Sequence, residues 1–134
     1  MKEDNAKYLF KQLVMGLNYI HTKKFVVHRD IKLDNILLDQ SGRIKICDFG
    51  VSKQVASEAE RMHDQCGTPA YIAPEIIKGR GYRGFKTDMW SAGICLFVML
   101  IGTVPFRAST MDQLHELITN GKYEVGDENL SAQA

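Results

Sequence analysis

The chain is poor in the features that mark secreted, membrane-spanning or nucleic-acid-binding proteins. Its 134 residues hold only three cysteines, Cys47, Cys66 and Cys95, scattered and without a C-x-x-C spacing. An odd, unpatterned set argues against a disulfide scaffold or a zinc ribbon and suits reduced, intracellular thiols. Neither sign of charge is in excess: 17 Lys and Arg stand against 16 Asp and Glu, for a formal charge of +1. Binding to a phosphate backbone or a membrane surface needs a clustered cationic surplus, so neither partner is expected. The longest apolar run, Ile94–Ile101, has eight residues, far short of the ~20 that a membrane span requires. Met1-Lys2-Glu3-Asp4-Asn5 leads into an amphipathic pattern and not into the apolar block of a signal peptide. Repeats, low-complexity tracts and linker-like stretches are absent as well. The expected location is cytoplasmic or otherwise intracellular, and the oligomeric state stays open.

Leu, Ile, Val and Phe supply 36 of the 134 residues, above the roughly one-fifth typical of disordered chains, so a packed core is expected. Ala6, Leu9, Phe10, Leu13, Leu17 and Ile20 recur at steps of three and four and predict a helix of about five turns. Phe25-Val26-Val27 reads as a short buried strand. Ile36-Leu37-Leu38 and Arg43-Ile44-Lys45-Ile46 read as two strands around the turn Asp39-Gln40-Ser41-Gly42. Periodicity disappears from Val51 to Ile72, which predicts a long, mobile segment. Thr87–Ile101 is apolar nearly all round and predicts a helix buried on every side. Ser109-Thr110-Met111-Asp112 predicts a capped start for a last helix with Met111, Leu114, Leu117 and Ile118 inward, stopped by Asn120-Gly121. Residues 129–134 look like a further helix beginning, and both ends of the chain look cut. The expected class is mainly α with a small β hairpin.

The chemistry-bearing string is His28-Arg29-Asp30-Ile31-Lys32-Leu33-Asp34-Asn35, followed thirteen residues after Asn35 by Asp48-Phe49-Gly50. Gly67-Thr68-Pro69-Ala70-Tyr71-Ile72-Ala73-Pro74-Glu75 and Asp88-Met89-Trp90-Ser91-Ala92-Gly93 follow in order. Each short string alone is weak, since turn-forming Asp and Asn are common near strand ends. Together they resemble the catalytic loop, the D-F-G element and the activation segment of the eukaryotic protein kinases. The resemblance covers essentially the whole chain, 1–134, with a catalytic loop at 28–35, D-F-G at 48–50, an activation segment at 48–75 and a buried helix at about 87–101. It implies the incomplete C-terminal lobe of the protein-kinase-like α+β fold, with the N-terminal lobe and the last helices outside this sequence. The chain by itself is accordingly expected to bind ATP poorly.

The resemblance implies transfer of the ATP γ-phosphoryl group to a protein substrate, with Mg²⁺ as cofactor. Phosphoryl transfer has a loose, heavily charged transition state, so positioning and electrostatics dominate. Asp30 would orient or accept the proton of the attacking hydroxyl, and Lys32 would set a cation beside the phosphoryl oxygens. Asn35 and Asp48 would give Mg²⁺ its hard oxygen ligands, and Leu37 resembles the apolar floor under the adenine, with Cys95 and Met99 beneath. His28 and Phe49 are implied as spine and core residues, Gly50 as a freely rotating position, and Asp88 as a buried carboxylate holding catalytic-loop N–H groups. Glu75 resembles an acid whose arginine partner lies outside this sequence. Cys47 reads as a small apolar residue facing the nucleotide. His21, His63 and His115 show no metal-like spacing.

Lys32, two residues past Asp30, and Gly67-Thr68-Pro69 resemble serine/threonine kinases, with Thr68 placed to bond Asp30 and Lys32. Leu96–Phe106 is similar to calmodulin-dependent-kinase-like members. Arg29 and Lys53 resemble the basic pair that binds an anion in the activation segment, where the family commonly carries a phosphate. Here Asp64 occupies the matching place, so it is expected to act as a built-in anion. A solvated loop charge is the alternative, with Ser57 as a rival phosphorylation site. Against the enzymatic reading stands a non-catalytic large-lobe fragment acting as a binding or decoy module; a small-molecule phosphotransferase fits less well because it lacks the Gly67–Glu75 element.

Overall fold

Apolar residues on one stripe and opposite charges at the two ends specify the first element. The computed structural model describes residues 1–126, 130 and 131, and opens with helix α1, Glu3–Lys24. Glu3 and Asp4 lie in its first turn and Lys23 and Lys24 in its last, each sign favourable to the helix dipole. Phe25 closes it in the left-handed region (φ 52°) with its N–H bonded to the Ile20 carbonyl. The buried stripe is Ala6, Leu13, Leu17 and His21.

Among the described residues, three antiparallel two-stranded ribbons follow. The expected hairpin is one of them, β2 (Ile36–Leu38) with β3 (Ile44–Ile46), in the register Ile36↔Ile46. Its turn is built by Asp39, whose Oδ1 accepts from the Ser41 and Arg43 N–H groups at 2.9 and 3.0 Å. A still stronger bond from the Ser41 hydroxyl at 2.6 Å, together with these N–H groups, holds the Asp39 carboxyl down at about 2. Gln12 of α1 docks the hairpin, accepting from Ile44 N–H at 3.1 Å.

The other two ribbons use residues from the stretch expected to be a long mobile segment. Strand β1 (Val26–Val27) pairs with β4 (Lys53–Gln54), and β5 (Arg61–Met62) pairs with β6 (Tyr82–Arg83). The segment is thus tied down at two places by partners that are remote in sequence. Two-residue strands leave no periodicity to read, which is why the pattern of Val51–Ile72 looked featureless.

Short helix α2 (Pro74–Ile77) leads to the central helix α3 (Gly84–Ile101), which begins three residues before the expected start. Ala92, Cys95 and Met99 of α3 pack on Ala6, Leu13 and Leu17 of α1, with Ile31 between them. Burial pushes the Cys95 thiol up to about 12. By length and composition α3 could cross a membrane, a property the eight-residue run does not reveal. Its fully buried Asp88 and its packing on α1 mark it as a core helix. It is not buried on every side: Met89 is 41% exposed, and Trp90 and Phe97 are half-buried.

Helix α4 (Met111–Asn120) caps with Thr110, whose hydroxyl accepts from Gln113 N–H, one residue later than expected. Leu114 and Ile118 face inward with Ile94 and Phe106, whereas Met111, also expected inward, is 48% exposed. Gly121 (φ 63°) stops the helix as expected. The helix expected to begin at residues 129–134 lies outside the described residues apart from Leu130 and Ser131.

At the entry to α3 the backbone of Gly84 lies against β1 and β5. A Cβ there would stand 2.7 Å from Val27 Cγ1 and 2.8 Å from Met62 Sδ. Gly84→Ala should therefore lower stability by about 1–3 kcal/mol through overpacking, although alanine is the better helix former. Urea unfolding of the two proteins checks this; an unchanged or raised midpoint would contradict it.

Candidate active site

The loop after β1 is shaped from α3. Asp88, 1% exposed, accepts from the backbone N–H of His28 at 2.8 Å and of Arg29 at 2.9 Å. His21 Nε2 lies 2.7 Å from the same carboxylate, and its ring stacks on Phe85. A buried carboxylate is tolerated only when its lone pairs are filled, and here three groups fill them. Arg29 takes φ 71° in this turn, a conformation that costs a non-glycine residue on the order of 1 kcal/mol and is held by those bonds.

His28, fully buried, carries the next constraint. Its Nδ1 accepts from the Asp30 N–H at 3.2 Å while Nε2 lies 2.9 Å from the Cys47 carbonyl. Only the tautomer with hydrogen on Nε2 satisfies both. The ring thereby ties Asp30 to the residue preceding Asp48. Phe49, expected as a core plug, instead is 42% exposed and meets His28 edge-on at 4.8 Å.

Three polar side chains converge on Asp30. Thr68 Oγ1 donates to Asp30 Oδ1 at 2.7 Å, and Lys32 Nζ donates to that hydroxyl at 2.9 Å. Lys32 Nζ also stands 3.4 Å from Asp30 Oδ2. Asn35 Nδ2 donates to the Asp30 carbonyl at 2.8 Å and reaches Oδ2 at 3.3 Å. Burial alone would raise the Asp30 carboxyl; the bonds from Thr68, Lys32 and Asn35 together outweigh it and hold the pKa below the ordinary value. The carboxylate is therefore ionised at neutral pH, with Oδ2 the more loosely engaged oxygen.

Asn35 spends its amide nitrogen on Asp30, which leaves the amide oxygen as a hard donor. Its backbone carbonyl accepts from Cys47 N–H at 2.9 Å and from the Cys47 thiol at 3.3 Å, so Cys47 is fixed as a half-buried residue just before Asp48. Asp48 is exposed, in the left-handed region at φ 59°, and its Oδ1 accepts from Gly50 N–H at 3.2 Å. Two oxygen donors of this kind, one amide and one exposed carboxylate, fit Mg²⁺, which takes few protein ligands and keeps waters. Leu37 and Leu38 beside them are 54% and 58% exposed.

Residues 51–68 are fastened to this loop. Arg29 Nη1 pairs with Asp64 Oδ2, Arg29 Nε donates to the Val51 carbonyl, and Lys53 Nζ stands 3.9 Å from Asp64 Oδ1. The bond from Arg29 holds the Asp64 carboxyl below its ordinary value. Tyr82 donates its hydroxyl to the Asp64 carbonyl at 2.6 Å. Gly67 (φ 112°) then passes so close that a Cβ would lie 2.9 Å from the Arg29 carbonyl, so only glycine fits. Ser91 of α3 fixes the end of the segment through the Tyr71 carbonyl at 2.8 Å. Glu75 sits half-buried in the first turn of α2, with no ion pair among the described residues.

All the residues singled out from the sequence are placed, and His28, Arg29, Asp30, Lys32, Asn35, Lys53, Asp64, Thr68 and Asp88 form one connected network. His21 was missed, although a signal existed: it falls four residues after Leu17 on the apolar stripe of α1. Tyr82 was missed because nothing local links it to Asp64. Asp88→Asn turns one acceptor into a donor facing donors and should cost about 1–3 kcal/mol. It should also speed amide exchange at His28 and Arg29. Urea unfolding and exchange at those two amides check this; wild-type values for both would contradict the role.

Residues 1–132 match the protein kinase domain family. Among curated relatives, the chain is 47% identical over 127 residues to CBL-interacting serine/threonine-protein kinase 15 of Arabidopsis thaliana, covering 93% of this chain and 30% of that protein. It is 44% identical over 123 residues to CBL-interacting protein kinase 5 of Oryza sativa subsp. japonica, covering 90% of this chain and 26% of the relative. CBL-interacting serine/threonine-protein kinase 3 of Arabidopsis thaliana is also 44% identical, over 92% of this chain and 28% of its own length. The chain thus spans under a third of the length of these relatives. With the hydrogen-bonded network around Asp30 and the family match in agreement, the chain belongs to the protein kinase domain family.

Proposed function

We propose that this chain is the catalytic-loop part of an enzyme that transfers the γ-phosphoryl group of ATP to Ser or Thr hydroxyls of protein substrates. The observation that carries the reading is the Asp30 carboxylate, ionised and held by Thr68, Lys32 and Asn35. A hydroxyl placed at Asp30 Oδ2 has an acceptor for its proton. As the hydroxyl oxygen bonds to the γ-phosphorus, the bond to the ADP oxygen breaks, the proton passes to Asp30, and ADP leaves. Lys32, 2.9 Å from Thr68 and 3.4 Å from Asp30, sets its positive charge where the transferring oxygens pass. Asn35 and Asp48 are the residues to hold Mg²⁺, which supplies charge neutralisation between the phosphates. Exposed Leu37 is the surface for the adenine ring. Intact Asp30, Asn35 and Asp48 favour this reading over the binding-module alternative.

Asp64 enters as the internal anion of the activation segment, paired with Arg29 and Lys53. The Arg29 side chain is 13% exposed and that of Asp64 53%. Such a half-open pair is weakened by salt, and a carboxylate carries −1 where a phosphate carries about −1.5 to −2. The segment would therefore be ordered without modification at this position, but less firmly than by a phosphate.

Two outcomes are expected in a polypeptide that joins this chain to an ATP-binding lobe. Asp30→Asn and Asp48→Asn should each lower peptide phosphorylation about a hundredfold or more, with far-UV circular dichroism unchanged. Turnover at the wild-type level in either would refute the assignment. Asp64→Asn, in protein treated with phosphatase, should lower kcat about tenfold with little change in peptide KM, and more so at low salt than at high. Wild-type kcat at both salt levels would remove Asp64 from the activation role while leaving the Asp30 assignment standing.

A further inference from the structure

The near-zero net charge conceals a local surplus. Between residues 60 and 86 stand Arg61, Lys78, Arg80, Arg83 and Lys86, all exposed. None of the five makes an ion pair among the described residues. The acids of the same stretch are occupied or apart: Asp64 pairs with Arg29 and Lys53, Glu60 accepts from the Ala56 N–H, and Glu75 lies in α2.

The β5/β6 ribbon concentrates this charge. Met62 and Tyr82 are opposite one another and point into the core at 1% and 4% exposure. Arg61 and Arg83 are the next opposed pair, and side chains alternate along a strand, so both arginines project from the outer face. Like charges directly across a ribbon disfavour it. No carboxylate among the described residues pairs with either arginine. Arg61 lies along the ribbon's backbone, with Nη1 3.4 Å from the Arg80 carbonyl and 3.3 Å from that of Gly81. His63 packs its ring against Gly81.

We propose that this outer face of β5/β6 is a docking surface for an acidic polypeptide segment, with Arg61 and Arg83 as its carboxylate-binding pair. Guanidinium groups bind carboxylates through paired, charge-assisted hydrogen bonds, and such an occupant removes the cross-strand repulsion. Its protein nature follows from what surrounds the charges. None of the exposed large apolar side chains lies between residues 52 and 88. The face therefore offers neither the apolar wedge that anchors a basic surface in a membrane nor the stacking rings that hold single-stranded nucleic acid. Strand β5 also leads directly into residues 63–68, which end at Thr68 on the catalytic carboxylate. A segment docked here is continuous with the place where a substrate hydroxyl would meet Asp30.

The proposal does not depend on phosphoryl transfer, and its test reads binding alone. Fluorescein-labelled hexaglutamate is titrated into the chain by anisotropy, and amide shifts of the chain are followed by NMR. Binding is expected at low ionic strength, with the largest shifts at Arg61, His63 and Arg83. The double variant Arg61→Gln, Arg83→Gln should weaken it about fivefold or more, and its NMR spectrum reports whether the fold is kept. Lys11→Gln, Lys122→Gln removes the same charge from exposed sites elsewhere and should leave the affinity unchanged. Absence of binding, an equal loss in both double variants, or shifts centred elsewhere would overturn the proposal. Tighter binding to an oligothymidylate or to vesicles containing phosphatidylserine would overturn it too, in favour of those occupants.

Discussion

The site depends on one buried carboxylate. Asp88 belongs to α3, yet its two oxygens take the N–H groups of His28 and Arg29 in a loop about sixty residues earlier. Two consecutive donors aimed at one carboxylate fix the peptide planes on either side of His28. From that fixed point the Arg29 side chain is directed to Asp64, the His28 ring to Asp30 and Cys47, and Asp30 to Thr68. Removing the acceptor would leave buried donors without partners, a cost that local rearrangement cannot easily recover.

The charges of the site are divided among distant parts of the chain. Asp30 and Lys32 lie in the loop after β1, but the hydroxyl that joins them comes from Thr68, thirty-six residues beyond Lys32. Arg29 is met by Asp64, and Asp64 in turn by Lys53 from β4. A displacement of residues 61–68 would therefore change the surroundings of the Asp30 carboxylate as well as the segment itself. Gly67 marks how little clearance there is: the segment passes the Arg29 carbonyl at a distance that excludes a side chain.

Much of the site could be read from the sequence because its residues are clustered in short strings. His28 to Asn35, Asp48 to Gly50 and Gly67 to Glu75 keep their spacing whatever the rest of the chain does, and α1 announces itself by its stripe. Other features depend on encounters that no local pattern records. The β1/β4 and β5/β6 ribbons are two residues long on each side, too short for alternation to be seen. His21 looked isolated because Asp88, its partner, is 67 residues away. The resemblance implies an inward Phe49 and helical spacing an inward Met111, yet the described residues leave each more than 40% exposed. The outer face of α3 was misjudged in the same way, since apolar composition says that burial is possible but not what supplies it.

The 67 residues between His21 and Asp88 also set an order of events during synthesis. A ribosome delivers α1 and then the loop that carries Asp30, but the acceptor that shapes this loop emerges only with α3. Until residue 88 has left the exit tunnel, the N–H groups of His28 and Arg29 have water as their partner and Arg29 has no cause to hold its left-handed conformation. Contacts of such long sequence separation form late because the intervening chain must first be brought together. The loop of residues 28–35 thus takes its shape only once α3 has emerged, and a polypeptide stalled before α3 would carry Asp30, Lys32 and Asn35 without the geometry that Asp88 imposes.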